Sequence, residues 1–346
     1  MRYSKVYIDS LGYELPPQVV TSEDLEKKLK PLYKALHFQK GQLEVLTGIH
    51  ERRFWKPNYK MSEGAIRAAR KVIEDSNISA EDIGILIYGG VCRDNAEPAT
   101  ACAVSHGLCL GTETQVYDIS NACLGVLNGM VHVANAIELG QVRAGLVVAC
   151  ESSREIIDIT TDRLVETKDI NFLKNNIATL TGGSGSVAVL LTDQSLSSRG
   201  HRLLGGVARS ANEHHKLCMW GMETEVSSQG THFIETDSIE ILKHGVTLGG
   251  KTFKTFQKTL NWLDNAPDKI ICHQVGATHQ RNILSAIKIP KEKDFTTFKY
   301  LGNIGSVSLP ITAAIAAERE FLVKNDRVGF LGIGSGLNCL MLGIEW

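Results

Sequence analysis

The sequence predicts an α/β fold in which helices cover both faces of its sheets, and three observations predict it. Strand-like and helix-like periodicities alternate along the whole chain. The runs Ile83–Gly90 and Ala144–Ser152 are apolar at nearly every position, as strands buried on both faces are. The chain is also long enough, at 346 residues, to form two domains or one large two-part unit.

Taken in order, Tyr3–Leu11 reads as a first strand ended by Pro16 and Pro17. Thr21 or Ser22 then caps a charged helix that Pro31 breaks or kinks. The cluster Arg52, Arg53, Phe54 and Trp55 fits a solvated turn with one packed indole, or equally a grip on a phosphate-bearing substrate. A helix with small residues at Gly64, Ala65, Ala68 and Ala69 spans Met61–Ser76, and the buried strand Ile83–Gly90 follows. In the next loop Pro98 is expected at the first helical position, with Glu97 just before it. The helix Ala99–Gly107 and the strand Gln115–Ile119 lead to Cys123, placed at the first turn of a helix that stops at Gly140. Leu124, Leu127, Val131, Ala134 and Leu139 supply its apolar spacing. The stretch Glu166–Leu180 is polar and suits a lid or pocket wall, and the glycines after Thr181 precede a strand, so they are no phosphate loop. Asp193–His201 is the expected boundary between two halves, 1–192 and 193–346. In the second half a long helix covers Ile239–Leu263, His273 ends a strand, Asn303 sits between Gly302 and Gly305, and a G-x-G-x-G turn joins the last two strands. No helix or acidic-tipped strand follows that turn, which excludes a dinucleotide site.

A net charge of −1 provides no field to attract nucleic acid or an anionic membrane. The eight cysteines show neither C-x-x-C pairs nor zinc-type spacing, so no metal is expected and a reducing compartment is. No run is apolar enough to span a membrane, and the N-terminus alternates like a strand instead of carrying a signal-peptide core. The expectation is a soluble, cytoplasmic protein.

A thiol at a helix N-terminus is favoured as thiolate by the helix dipole, which is worth about one pKa unit and leaves full activation to a nearby base. Because open α/β sheets place their chemistry at strand ends, Cys123, His273 and Asn303 are candidates for one site. Each alone has a plain alternative: a packed cysteine, a satisfied core histidine, a turn asparagine.

Five motifs in order bear on that choice. NACLGVLNGM, HQVG, LGNIGSVSLP, GIGSGLNCLM and TGIHERR resemble, over nearly the whole chain, the ketoacyl synthase III branch of the thiolase superfamily. The resemblance implies a thiolase-like fold of two similar α/β halves in five layers, αβαβα, the first half carrying the nucleophilic Cys and the second the His and Asn. Two departures argue against decarboxylative initiation of fatty acid synthesis. Val275 and Gly276 replace the usual Ala-Asn after the histidine and glutamine, and Gln42 and Leu46 stand where a Trp and an Arg associated with coenzyme A are usual. CRDNAEPATA, RSANEHHKLC, HQVGATH and GNIG are similar to the acyl-CoA condensing enzymes of bacterial long-chain olefin synthesis, whose distinguishing glutamate corresponds to Glu97.

That sub-branch implies a Claisen condensation of two fatty acyl-CoA thioesters, with coenzyme A as part of the substrate and no separate cofactor. Cys123 would carry the acyl group, with backbone N–H groups of Cys123 and Ser335 as oxyanion hole. His273 and Asn303 would hold the enolate, and Glu97 would remove the α-proton. A homodimer, with Glu97 reaching the partner's site, and acyl-CoA or acyl-ACP as substrates are further implications. The alternatives are a decarboxylative 3-oxoacyl-ACP synthase III, a hydroxymethylglutaryl-CoA synthase-like condensation, and a non-catalytic acyl carrier.

Overall fold

The computed structural model describes residues 1–222, 232–262 and 266–346. β1 (Val6–Glu14) opens the chain, and β2 (Gln18–Thr21) pairs antiparallel with β3 (Glu51–Phe54) outside the main sheet. Between these two, α1 (Ser22–Lys28) starts under a capping box formed by Thr21 and Asp24. Pro31 lies in the first turn of α2 (Lys30–Leu36), where its missing N–H costs nothing, and α3 (Gln42–Thr47) follows. Then come α4 (Met61–Asp75), β4 (Ile83–Tyr88), α5 (Thr100–Leu108), β5 (Gln115–Asp118), α6 (Gly125–Glu138), β6 (Ala144–Glu151), α7 (Arg154–Thr167), α8 (Ile170–Asn176) and β7 (Gly185–Asp193). The remainder comprises β8 (His201–Ser210), β9 (Cys218–Met222), β10 (His232–Thr236), α9 (Ser238–Leu260), β11 (Lys269–Cys272), α10 (Ala277–Ile287), α11 (Phe298–Leu301), α12 (Ser308–Glu318), β12 (Arg327–Gly334) and β13 (Asn338–Glu345). The expected end of the long helix at Leu263 lies outside the described residues.

Nine strands form one sheet in the order β11-β12-β13-β8-β1-β7-β6-β4-β5. It is two sub-sheets joined at a narrow seam, because β1 meets β8 only at Tyr7 with Arg202 and Ile8 with His201. Away from the seam on one side, β1 is antiparallel to β7, β7 to β6, and β6, β4 and β5 run parallel. On the other side β8 is antiparallel to β13, β13 to β12, and β12 is parallel to β11. A lone parallel bridge of Ile270 with Asp294 lies where a counterpart of β5 would complete the pattern. The two sub-sheets therefore repeat one topology.

Helix burial makes this arrangement five layers. The central apolar cluster joins Ile87, Val147 and Val189 of one sub-sheet and Phe330 and Leu342 of the other to Met130 and Ala134 of α6 and Ile311 and Ala313 of α12. Ala65, Ala68 and Ala69 of α4 with Val104 of α5 cover the outer face of the first sub-sheet. Phe253 and Phe256 of α9 with Ile283 and Leu284 of α10 cover that of the second. β6 is buried at every residue, as its uniform apolar run requires.

Three expectations are corrected. Arg52 is fully buried and donates to Ser22 Oγ (3.2 Å) and the Leu180 carbonyl (3.3 Å), so it grips the chain itself and no phosphate. Burial lowers its pKa to about 10. Trp55 beside it donates to the Glu151 carbonyl (3.1 Å) and stacks on Tyr59. Leu139 is largely exposed, one residue past the end of α6. Pro98 stands outside α5, which begins at Thr100, and the first N–H groups of that helix donate to Asp118, not to Glu97.

Candidate active site

Cys123 sits one turn earlier than the spacing predicts, in a 3₁₀ turn (Ala122–Leu124) that leads from β5 into α6. Ala122 takes a left-handed φ of 45°, a conformation that L-residues adopt only when their surroundings impose it. Those surroundings are visible. Asn338 donates to Asn121 (3.1 Å) and Asn121 to Asn128 (2.8 Å), tying the turn to the start of β13 and to α6. Gly125 lies against the end of β4 so closely that a Cβ would come 1.8 Å from the Gly89 carbonyl oxygen. The turn is thus held from two sides, and the thiol faces a cavity of about 650 Å³.

Burial pushes the Cys123 thiol up to about 12, with the charges of Cys218 and Glu151 adding to it. This overturns the expectation of a thiol acidified by the helix dipole. The dipole contributes about 0.3–2 kcal/mol, whereas desolvating a charge inside the protein moves a pKa by several units.

His273 follows β11 and extends its parallel pairing, its backbone N–H donating to the Leu331 carbonyl (3.0 Å). Gln274 locks the turn beyond it, donating to the Cys272 carbonyl (2.7 Å) and accepting from the N–H groups of Thr297 (3.0 Å) and Phe298 (3.2 Å). The imidazole is 5% exposed, lines the cavity and has no side-chain partner at Nδ1. Burial, and secondarily His279, lower its pKa to about 3, so it is neutral at physiological pH.

Asn303 is fixed through its backbone, donating to the Thr181 carbonyl (2.8 Å) and accepting from Gly183 (2.9 Å). Its Oδ1 accepts from the Gly305 N–H (3.2 Å), which leaves the Nδ2 donors in the cavity wall without a partner among the described residues. Ser335 lines the same cavity. A Cβ on Gly334, one residue before, would lie 3.3 Å from the Cys123 nitrogen, so glycine there lets the two backbone segments come close enough for a shared pair of N–H donors.

Cys123, His273, Asn303 and Ser335 are thereby brought around one cavity, while Glu97 is exposed on the loop before α5 and does not line it. The polar stretch before Leu180 contributes wall, through Lys174, Ile177 and Thr179. Three features escape the sequence reading: the buried Glu151, His279 on the first turn of α10, and the apolar wall of Trp220, Ile234 and Leu242 from the β9–β10 ribbon and α9. Only His279 left a signal, as the last residue of the HQVGATH run. No helix among the described residues is long and apolar enough to cross a membrane.

Comparison with known proteins fits this geometry. Residues 117–210 match the 3-oxoacyl-[acyl-carrier-protein] synthase III family and residues 258–346 its C-terminal domain. An acyl-CoA:acyl-CoA alkyltransferase of Shewanella oneidensis is 51% identical, with all of both chains covered. A β-ketoacyl-[acyl-carrier-protein] synthase III of Natranaerobius thermophilus is 26% identical over 99% of this chain and all of its own. The structure of a Cys→Ser variant of Xanthomonas campestris OleA with bound lauric acid and lauroyl-CoA superposes with a TM-score of 0.91 at 34% identity, covering 99% of this chain and 100% of that one. The chain is a thiolase-fold acyl-condensing transferase and belongs to the acyl-CoA:acyl-CoA alkyltransferase family.

Proposed function

We propose that this protein condenses two fatty acyl-CoA molecules, head to head, into a 2-alkyl-3-ketoacyl product by way of an acyl group on Cys123. The observation that carries the proposal is the convergence of Cys123, His273 and Asn303 on one cavity that apolar side chains such as Trp220, Ile234 and Leu242 also line.

In the first half-reaction the Cys123 sulfur attacks the thioester carbonyl and coenzyme A leaves as the thiol. With thiol and imidazole both neutral at rest, the proton passes to His273 as the carbon–sulfur bond forms and then to the leaving thiolate. The carbonyl oxygen, negative in the intermediate, is received by the N–H groups of Cys123 and Ser335, a donor pair in which each member is worth about 3–4 kcal/mol. In the second half-reaction a second acyl-CoA loses an α-proton. Its enolate oxygen accepts from neutral His273 and from Asn303 Nδ2, and its α-carbon attacks the acyl-enzyme and displaces the Cys123 thiolate, which takes up the proton removed from the α-carbon and returns to the thiol.

Glu97 is the proposed base, acting in the partner's cavity of a homodimer. Two features support this. Glu97 is exposed and outside its own cavity. Its loop also lies beside β5, the end strand of the sheet, with Arg93 3.8 Å from Asp118. Pairing of two β5 edges would carry each loop toward the other subunit.

The test separates the half-reactions. Glu97→Gln should still show an acyl adduct on Cys123 by intact-protein mass spectrometry, while ketone product by gas chromatography falls about a hundredfold or more, the usual worth of a general base. Near-parent condensation by Glu97→Gln, or condensation by the parent only with malonyl donors, defeats the non-decarboxylative reading in favour of a ketoacyl-ACP synthase.

A further inference from the structure

Glu151 is a carboxylate that the proposed reaction does not use, though it lines the cavity beside Cys123 and is 4% exposed. Every hydrogen bond to its carboxylate comes from one of two segments. Oε1 accepts from the Val91 N–H (2.9 Å) and Oε2 from the Cys92 N–H (3.1 Å), at the root of the loop that carries Glu97. Oε1 also accepts from the Ser306 hydroxyl (2.5 Å) and N–H (3.4 Å), three residues after Asn303. A Cβ on Gly305 would already sit 3.4 Å from this carboxyl group. The root is braced from behind as well, since Tyr88 donates to the carbonyls of Cys92 (2.5 Å) and Cys150 (2.9 Å).

We infer that Glu151 is a positioning residue for the condensation step, one carboxylate setting both the root of the Glu97 loop and the turn that aims Asn303. The inference rests on the function proposed above. With four donors directed at it, Glu151 is not free to swing to a substrate's α-carbon, so it acts through its neighbours and is not itself a base. Buried charge-assisted hydrogen bonds of this kind are short and directional, which is what holding two segments in register requires. Acylation of Cys123 needs neither Glu97 nor Asn303. Loss of the clamp should therefore fall on one half-reaction alone, a pattern that general destabilisation does not produce.

Two variants and two readouts test this. Glu151→Gln keeps the side chain's length but turns an N–H₂ toward a backbone N–H, and its condensation rate should fall about tenfold to a hundredfold. Acyl adduct formation on Cys123 should not fall, because the charge removed is one that opposes a thiolate there. Ser306→Ala weakens only the Asn303 arm, removing its hydroxyl bond and keeping its N–H, introduces no competing donor and so keeps the test available if Glu151→Gln does not fold. It should lower condensation by about threefold to tenfold and likewise spare acylation. Equal loss of acylation and condensation in either soluble variant, or parent-like condensation in Ser306→Ala, overturns the positioning role. The parent, run beside them, keeps the two readings apart: if it forms no ketone from acyl-CoA alone the proposed reaction fails, whereas ketone from the parent with unimpaired variants defeats only the role of Glu151.

Discussion

The resting state of Cys123 can be worked out from the structure and checked directly. Forming a thiolate–imidazolium pair would move a proton from a thiol at about 12 to an imidazole at about 3. That gap of about nine pH units corresponds to about 12 kcal/mol. Even at a contact separation of about 4 Å, attraction between the two charges would return only about 4 kcal/mol at an effective dielectric constant of 20. The pair thus lies several kcal/mol uphill, and the neutral thiol and neutral imidazole are the resting state. The groups around the thiol point the same way, since Glu151 and Cys218 oppose a thiolate and neither His273 nor His279 is charged. Site-specific alkylation of Cys123 by iodoacetamide, followed by peptide mass spectrometry, should rise about tenfold per pH unit from pH 6 to pH 9 without a plateau. At pH 8 it should be about thirtyfold slower than for an ordinary thiol, since a three-unit displacement from 9.0 cuts the thiolate fraction about a thousandfold and the greater nucleophilicity of the more basic thiolate returns part of that. His273→Ala should leave this profile nearly unchanged yet lower acylation by acyl-CoA about a hundredfold or more, because its work begins with the reaction. A plateau at or below pH 7 would mean a preformed ion pair and refute the reasoning.

Other outcomes follow from the same geometry. Asn303→Ala should acylate at near the parent rate and lose condensation by about two orders of magnitude, whereas His273→Ala loses both; rapid-quench mass spectrometry and ketone analysis separate them. Gly334→Ala places a Cβ 3.3 Å from the Cys123 nitrogen and should slow acylation by about tenfold to a hundredfold with an unchanged melting temperature. Gly125→Ala, whose Cβ would lie 1.8 Å from the Gly89 oxygen, should instead fail to give soluble, cooperatively melting protein. Because burial depresses His273 in the folded state, the unfolded chain binds a proton below pH 6.5 that the folded chain refuses. Stability should therefore fall as pH drops from 6.5 toward 3, by about 1.4 kcal/mol per unit from this group, and His273→Gln should show a shallower loss in denaturant titrations at pH 7 and pH 5.

The main elements, and the three side chains that the structure brings to one cavity, were legible because they are written locally. Cys123, His273 and Asn303 each stand at a strand end or helix start, in runs of glycine and apolar residues. What stayed hidden depends on chain distant in sequence. Glu151 reads as the polar end of an apolar strand until Val91, Cys92 and Ser306 are seen to converge on it. Asp118 reads as a strand residue until it receives Thr100 and Ala101, which displaces Glu97 from the helix mouth where local rules put it. Arg52 shows the same limit, since a dibasic turn gives no sign that its guanidinium will be enclosed against Ser22 and Leu180. The acidity of Cys123 was misjudged for a related reason: a dipole is a property of one helix, whereas desolvation belongs to the whole enclosure.

Both helices of the central layer begin at the same cavity, α6 just after Cys123 and α12 just after Asn303. An aligned helix leaves about half a positive charge at its first turn, so each helix start favours negative charge growing at the cavity floor and, with Lys174, works against the field of Glu151 in the same described lining. Such a floor sorts chemistry by the sign of the charge that grows during a reaction. A thioester oxyanion and an enolate both gain from it, while a developing carbocation or a protonated amine is penalised. Exchanging residues along the apolar wall can alter which acyl groups meet, but it leaves untouched the pull on growing negative charge that the direction of two helices supplies.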